Sequence, residues 1–269
     1  MPEQRKGVRD VKSAARTVEV LEVLGNLDGQ PISLRQLAER MDVPRSSLYA
    51  LLQTLVNRGW VRTDPTNSLY AIGVRALLVG TSYLDGDPRL AAAKPHLDDL
   101  GERLGETVHF ARLDNADVVY LATRPSQHYL RPFSRVGRRL PAYATSLGKA
   151  ILAERTDAEV EKLLPPEMPA LTEHTLDRPG LLADLAGVRA RGYAIDNEEG
   201  TVGLRCFGMA LRYETPVIDA ISCSVPIARL SPEMESAILE ALSSATAAIE
   251  VCSLSAGRGI AGASRLGLE

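Results

Sequence analysis

The sequence predicts an α+β protein with two domains, an N-terminal winged helix-turn-helix and a larger C-terminal α/β domain. Three observations lead to this prediction. A chain of 269 residues, 45% of them hydrophobic, is long enough for two packed domains. Three helical patterns and two short strand patterns follow one another within the first 72 residues. Helix and strand patterns are mixed in the remainder of the chain.

The first two helical patterns are short and amphipathic. Helix one begins at Ser13, where Val18, Leu21 and Leu24 recur near helical spacing. Helix two follows Ser33, a residue type that caps helix N-termini, and has an apolar face that includes Leu37. The sequence therefore predicts two helices before residue 42.

A three-residue turn, Asp42-Val43-Pro44, separates helix two from a third helix that ends near Gly59. Two helices joined by such a turn indicate a helix-turn-helix, in which the start of the second helix enters the major groove of DNA. Arginine and glutamine can pair with base edges, and serine can bind phosphate. The alternative is a solvated helix face. The residues predicted to contact DNA are Arg35, Arg45, Ser46, Ser47, Tyr49, Gln53 and Arg62.

Two short alternating runs follow the third helix. They are Trp60-Val61-Arg62 and Leu69–Ile72, and the turn-forming stretch Asp64–Asn67 lies between them. This pattern predicts a β-hairpin wing. Helix, helix-turn-helix and wing in this order favour DNA binding.

Charge is unevenly distributed along the chain. Residues 1–62 contain ten Lys or Arg and seven Asp or Glu, whereas the complete chain has a net charge of −3. A basic N-terminal domain attached to an acidic remainder suits a DNA-binding module joined to a second domain of a different function.

Composition also limits the class of protein. No apolar run approaches the roughly 18 to 20 residues of a membrane span, and MPEQRKGVRDVKSAART lacks the apolar core of a signal peptide. We therefore expect a cytoplasmic protein without a membrane partner. Cys206, Cys223 and Cys252 lack C-x-x-C spacing, and the four histidines lack metal-binding spacing, so no disulfide, metal or cofactor is expected.

The domain boundaries are predicted from breaks in these patterns. Residues 1–73 form the winged helix-turn-helix, 74–87 a linker helix, 88–254 the larger domain, and 255–269 a disordered tail of small and polar residues. In the larger domain we expect helices after Pro88 and over about 146–153, 157–164, 181–191 and 232–252. Strands are expected in ETVHFARL and DVVYLATR and over about 203–212 and 217–224.

The chain resembles the IclR family of bacterial regulators from Val11 to about Cys252. The resemblance is carried by SAARTVEVLEVL, VPRSSLYALLQTLVNRGWV, GRRLPAYATSLGKAILA, RGYAIDNEEGTVGLRCFGMAL and ISCSVPIARL. It implies a GAF-like domain whose antiparallel sheet cups a small organic acid. It also implies a homodimer, or a dimer of dimers (a homotetramer), that binds a palindromic operator in double-stranded DNA. Ala50 stands where family members often have arginine, so base specificity is not carried over.

The same resemblance implies the position of the effector. The residues it assigns are Ser146, Leu147, Asp196, Leu204, Cys206, Ser222 and Ser224. From the residues alone, a helix that starts at Ser146 has unpaired N–H groups suited to a carboxylate, although a plain N-cap is the alternative. Ser222 and Ser224 are two apart on a strand and point to one face, although surface positions on an edge strand are the alternative. Cys206 alone is equally typical of a small buried residue.

Together these features predict a transcriptional regulator, a repressor of a catabolic operon that is controlled by a small organic acid. An activator and a ligand-free oligomerisation module are alternatives. An enzyme with Cys206 as nucleophile is a further alternative, for which His109 and Asp196 supply the residue types of a base and an orienting group. A basic stretch either contacts a ligand or another subunit, or is simply solvated; its residues are Arg124, Arg131, Arg135, Arg138 and Arg139.

Overall fold

The computed structural model describes residues 11–27, 29–132 and 134–263. The chain divides into two compact units, Met1–Gly86 and Asp87–Glu269. The division falls at the Asp87-Pro88 break that ends the predicted linker, and the linker helix groups with the first unit.

The first unit is a winged helix-turn-helix. Its elements are α1 (Lys12–Gly25), β1 (Ile32–Ser33), α2 (Leu34–Met41), α3 (Arg45–Asn57), β2 (Val61–Thr63), β3 (Leu69–Ile72) and α4 (Val74–Asp85). The strands form an antiparallel sheet in the order β1-β3-β2. The sequence did not predict β1, because two residues give no readable alternation.

Local chemistry explains where these helices begin and end. The Ser33 hydroxyl accepts a hydrogen bond from the N–H of Gln36, and the Gln36 side chain accepts one from the N–H of Ser33, so that a capping box starts α2. Asp42, in the left-handed conformation at φ 50°, ends it. Pro44 precedes α3, where its missing N–H is no loss, and Gly59 at φ 73° turns the chain into the wing.

The core of the first unit is smaller than the apolar pattern suggested. Val20 and Leu24 of α1 pack with Leu48 and Leu52 of α3 and with Tyr70 of the wing. Val18, one of the apolar residues at helical spacing, is 53% exposed. Val20 replaces it because Val20 and Leu24 are four residues apart and therefore share the face that meets the core.

The second unit contains a six-stranded antiparallel sheet in the order β6-β5-β4-β9-β8-β7. Its elements are α5 (Pro88–Leu104), β4 (Thr107–Asp114), β5 (Asp117–Arg124), β6 (Arg139–Pro141), α6 (Ser146–Ala153), α7 (Asp157–Leu163), α8 (Arg178–Arg191), β7 (Ala194–Asn197), β8 (Leu204–Leu211), β9 (Asp219–Pro226) and α9 (Pro232–Ala263). The α+β class and the antiparallel sheet are confirmed.

Helices cover both faces of this sheet. On one face, α5 and α9 pack against each other and against the central strands. On the other face, α6 contacts β7, β8 and β9, and α8 packs against α6. Alternation along each strand therefore separates two sets of side chains: Phe110, Phe207 and Cys223 point one way, and their neighbours point towards α6.

Two short strands and the end of the last helix in the second unit differ from the sequence-based expectation. The short edge strands β6 and β7 were not predicted. The last helix continues to Ala263, through most of the tail that was predicted to be disordered, and no proline after Pro232 interrupts it. Residues 264–269 lie outside the described part of the chain.

Candidate functional site

The start of α3 presents a polar surface. Arg45, Ser46, Ser47 and Tyr49 are exposed, while Leu48 on the opposite side is buried. The face that the sequence predicted to meet DNA is therefore accessible.

Two of the predicted DNA contacts share a carboxylate. Nε of Arg35 lies 2.9 Å from Oε1 of Glu39, and Nη2 of Arg45 lies 3.8 Å from the same oxygen. All three side chains are more than half exposed, and such ion pairs contribute little to stability. Both guanidinium groups can thus exchange Glu39 for a phosphate at small cost.

Gln53 has a different environment from the other predicted contacts. It is half-buried, and its side chain is near Tyr70 in the wing, where it opposes the rise that burial causes in the pKa of Tyr70. Arg62 is exposed on β2. The wing tip is held by Asp64, whose Oδ1 accepts hydrogen bonds of 2.8 Å from the N–H groups of both Ser68 and Leu69. The structure thus places Arg62 at the surface and turns Gln53 towards the core.

The second polar region lies where α6 meets the sheet. Thr145 caps the helix, its hydroxyl accepting a 3.0 Å hydrogen bond from the N–H of Gly148. Ser146 and Leu147 are buried. Gly208 on β8 lies directly against this turn, since a Cβ there would be 2.5 Å from the carbonyl oxygen of Ser146. Glycine at this strand position lets the helix start touch the sheet.

The pairing registers bring most of the predicted effector residues together. Asp196, Cys206, Ser224 and Thr107 are opposite one another across β7, β8, β9 and β4. Ser222 belongs to the next row on the same face, two residues along β9. Ser222 and Ser224 are buried on a central strand, so the edge-strand alternative is wrong. We call this face, towards α6, the concave face.

Asp196 is fixed by the loop that follows it. Its Oδ1 accepts hydrogen bonds from the N–H groups of Glu199, at 2.8 Å, and Gly200, at 3.2 Å. Burial raises the pKa of Asp196, while these hydrogen bonds oppose the rise. The backbone of the loop therefore orients this carboxyl group before any ligand arrives.

Cys206 lies between Asp196 and Ser224 in this row, and both residues influence the pKa of its thiol. Loss of bulk solvation raises the pKa of its thiol well above the usual range, and the charge of Asp196 adds to the rise. The thiol is therefore protonated at neutral pH, which disfavours a nucleophilic role. Cys206 nevertheless keeps some accessible surface.

Two predicted residues have peripheral or indirect roles. Leu204 is half-buried at the start of β8, opposite Pro226. The side chain of Leu147 belongs to the hydrophobic core, so that only its backbone is at the helix start.

Sequence reasoning missed other polar residues on the concave face. Thr107 and His109 of β4 pair with Ser224 and Ser222, and Thr123 of β5 pairs with His109. The signal was the alternation in ETVHF, which points Thr107 and His109 to one face. Without knowledge that β4 and β9 are neighbours, this alternation could not be connected with the two serines.

The basic stretch is largely engaged within the second unit. Arg124 forms an ion pair with Asp98, and Arg139 lies 2.8 Å from Asp114. Nη1 of Arg131 donates a 2.9 Å hydrogen bond to the carbonyl of Ser126. Arg124 and Arg139 therefore hold surface segments together.

Two family models match the chain. The IclR helix-turn-helix domain matches residues 13–65, and the bacterial transcriptional regulator IclR C-terminal domain matches residues 81–251. The chain belongs to the IclR family. It is accordingly a transcriptional regulator with a helix-turn-helix DNA-binding domain.

Relatives in the IclR family agree with this assignment. The transcriptional repressor IclR of Escherichia coli K12 is 36% identical over 229 residues, which cover 83% of each chain. An IclR regulator of Alicyclobacillus acidocaldarius has the same fold, with a TM-score of 0.80 over 91% of this chain and all of that one, at 23% identity. An IclR homologue of Microbacterium hydrocarbonoxydans, solved in complex with 4-hydroxybenzoate, has a TM-score of 0.74 and 25% identity, over 91% of this chain and 99% of that one.

Two further features of the described residues concern membrane spans and metal sites. None of the helices described is long and apolar enough to cross a membrane. Within the same residues, no group of three or more His, Cys, Asp or Glu side chains is arranged to hold a metal ion.

Proposed function

We propose that this IclR-family regulator is a cytoplasmic repressor of a catabolic operon, and that a small organic acid bound on the concave face releases it from DNA. The observation that carries the acid-binding proposal is the buried polar row of Asp196, Cys206, Ser224 and Thr107 beside the start of α6. The hydroxyl of Ser224 can both donate and accept a hydrogen bond, so a ligand on this face can bond with it.

The chemistry of the row favours a carboxylic acid. Ser222 and Ser224 offer hydroxyl groups, and the start of α6 offers backbone N–H groups with the positive end of the helix dipole. The oriented carboxyl of Asp196 can accept a hydrogen bond from a hydroxyl group of the same ligand. Leu204 gives the region a less polar border, and Cys206 contributes a weakly polar thiol between Asp196 and Ser224. The complex of the Microbacterium homologue with 4-hydroxybenzoate supports this ligand class.

The proposed DNA contacts are the exposed side chains of the first unit. Arg45, Ser46, Ser47 and Tyr49 at the start of α3 enter the major groove, and Arg35 and Arg62 contact the flanking backbone. The Escherichia coli relative is a transcriptional repressor, which favours repression over activation.

We further propose that two copies associate through α4 and bind a palindromic operator, as a dimer or a dimer of dimers. Within α4, Val74, Leu77 and Leu78 share one helix face, and each is more than 60% exposed. A second copy would cover this apolar face. Replacement of Leu77 and Leu78 by glutamate should yield a monomer by light scattering, whereas Arg75→Glu, on the same helix, should not.

The alternatives make different predictions. A ligand-free oligomerisation module would bind no small acid on the concave face. An enzyme would require an activated Cys206, contrary to the raised pKa of its thiol. Enzymatic turnover that disappears in the Cys206→Ala variant would support the alternative that the protein is an enzyme.

A gel-shift experiment tests the proposal. The purified protein is mixed with the intergenic DNA upstream of its own gene, with and without a panel of 2-oxo, sugar, aromatic and dicarboxylic acids. Release of the DNA by one acid is the expected result. DNA binding that strengthens with an acid would indicate an activator, and the absence of a shift at low salt would contradict the DNA-binding proposal.

A further inference from the structure

A second polar cluster lies on the concave face, next to the effector residues assigned above. Nδ1 of His109 lies 3.2 Å from the hydroxyl of Thr123 and 3.4 Å from the hydroxyl of Ser134, and these two hydroxyls are 3.2 Å apart. His109 is buried and pairs with Ser222 across the β4–β9 ladder. The cluster is therefore continuous with the proposed acid site.

Arg138 borders the same cluster. Its carbonyl accepts a 2.9 Å hydrogen bond from the N–H of Tyr120, and the Tyr120 ring stands edge-on to His109 at 4.9 Å between centroids. Burial, and to a smaller extent the positive charge of Arg138, lowers the pKa of His109 to about 3. Burial raises the pKa of Tyr120, and the same charge opposes that rise. The backbone hydrogen bond between Tyr120 and Arg138 continues the β5–β6 pairing, so Arg138 lies opposite Tyr120 and is its cross-strand neighbour on the concave face.

The two ends of the concave face differ in charge. At the β7 end, Asp196 contributes a carboxyl group. At the β5 end, Arg138 contributes a cation, and Thr123, Ser134 and neutral His109 can each donate a hydrogen bond. A guanidinium group with neutral donors around it is suited to a carboxylate, since bonds between arginine and carboxylate are both charge-assisted and directional.

We propose that His109, Thr123, Ser134 and Arg138 form a second subsite, which binds an anionic group at the far end of the effector. The effector is then a dicarboxylic acid. This inference rests on the proposed acid-binding function and specifies its ligand class. One carboxylate lies at the start of α6 near Ser222, and the other lies at this second subsite.

Strand geometry sets the length of such a ligand. Gly208, beneath the start of α6, and His109 are two strands apart, which corresponds to about 10 Å. An acid of two or three carbons is too short to reach both positions. We expect a chain of about six carbons to bridge them.

Calorimetric titration of the full-length protein tests the subsite with three acids of equal carbon number. Adipate ends in a second carboxylate, 6-hydroxyhexanoate in a hydroxyl and hexanoate in a methyl group. We expect adipate to bind at least tenfold more tightly than hexanoate, with 6-hydroxyhexanoate between them. Arg138→Met should reduce adipate binding to the level of hexanoate and leave hexanoate binding unchanged.

Two further variants separate the subsite from general effects of charge and folding. Arg138→Lys keeps the charge and should retain part of the preference for adipate. Arg131→Met removes a charge from the same exposed segment and should leave the preference intact. If Arg131→Met and Arg138→Met weaken adipate binding equally, the effect is long-range attraction and the subsite is wrong.

The remaining outcomes distinguish this inference from the proposed function. Equal binding of the three acids, or tightest binding of 6-hydroxyhexanoate, overturns the anionic subsite but leaves an acid-responsive regulator. Binding of pyruvate without any binding of adipate has the same meaning. If neither these acids nor the wider panel binds, the proposed function fails together with the subsite.

Discussion

Nζ of Lys149 in α6 lies 2.6 Å from Oε1 of Glu199, and both side chains are buried. Asp184 of α8 is a second partner, at 2.8 Å. Because the N–H of Glu199 also donates to Asp196, the ion pair connects α6 to the loop that orients a proposed ligand contact. The interaction thus links the stability of the second unit to the geometry of its concave face.

Replacement of Lys149 by methionine should therefore be strongly destabilising. It removes one partner of a buried ion pair and leaves Glu199 uncompensated, which typically costs about 3 to 5 kcal/mol. Urea unfolding of the full-length protein measures the free energy. Lys162→Met is the matched control, since Lys162 is exposed on α7 and should change stability by less than about 0.5 kcal/mol. Similar losses in the two variants would contradict the structural role of Lys149.

The pKa of His109 predicts how stability depends on pH. In the folded protein burial lowers it to about 3, whereas an unfolded histidine has a pKa of about 6.5. Between these values the unfolded chain binds an extra proton, so stability falls as the pH falls. From pH 7.5 to pH 5 this group should cost about 2 kcal/mol.

Urea unfolding of wild type and His109→Gln over this pH range tests the assignment. On acidification, the free energy of unfolding of the variant should fall by about 2 kcal/mol less than that of wild type. His174→Gln is the control, because His174 is at the surface and its replacement should leave the slope nearly unchanged. If the free energy of unfolding of His109→Gln depended on pH as steeply as that of wild type, groups other than His109 would govern the acid sensitivity.

Local sequence signals predicted much of the fold. Ser33 and Gly59 marked helix ends because capping and positive φ depend on neighbouring residues alone. Strands β6 and β7 were missed because they are short and exist through pairing with β5 and β8. The burial of Val20 instead of Val18 depends on how α1 meets α3 and the wing, which periodicity does not specify.

The residues of the candidate site were also predicted only in part. The family resemblance supplied Asp196, Cys206, Ser222 and Ser224, and the registers place these residues on one face. His109 and its partners were not assigned to this site because their proximity depends on the β4–β9 and β4–β5 pairings. The inward orientation of Gln53 depends on a contact with Tyr70, seventeen residues further along the chain.

Arg45→Ala tests the DNA interface. If the side chain reads a base, operator affinity should fall by about 1 to 3 kcal/mol, and by less if it contacts only phosphate. Removal of its 3.8 Å contact with Glu39 should hardly affect folding, because both groups are exposed. Gel shifts at several salt concentrations measure the affinity, and Arg103→Ala, at an exposed position of α5, controls for the charge change. Unchanged affinity would exclude Arg45 from the interface.

Combined replacement of Ser222 and Ser224 by alanine tests the acid site. The variant should lose its response to the effector, because two hydroxyls on the concave face can no longer hydrogen-bond the acid. DNA affinity without the acid should equal that of wild type, since both residues belong to the second unit. The gel shift with the acid panel measures both quantities, and Ser236→Ala, at an exposed position of α9, is the control. A preserved response would place the effector elsewhere. A loss of DNA binding in the absence of acid would show that these serines support the fold or the assembly, because a residue that only recognises the ligand has no effect until the ligand is present.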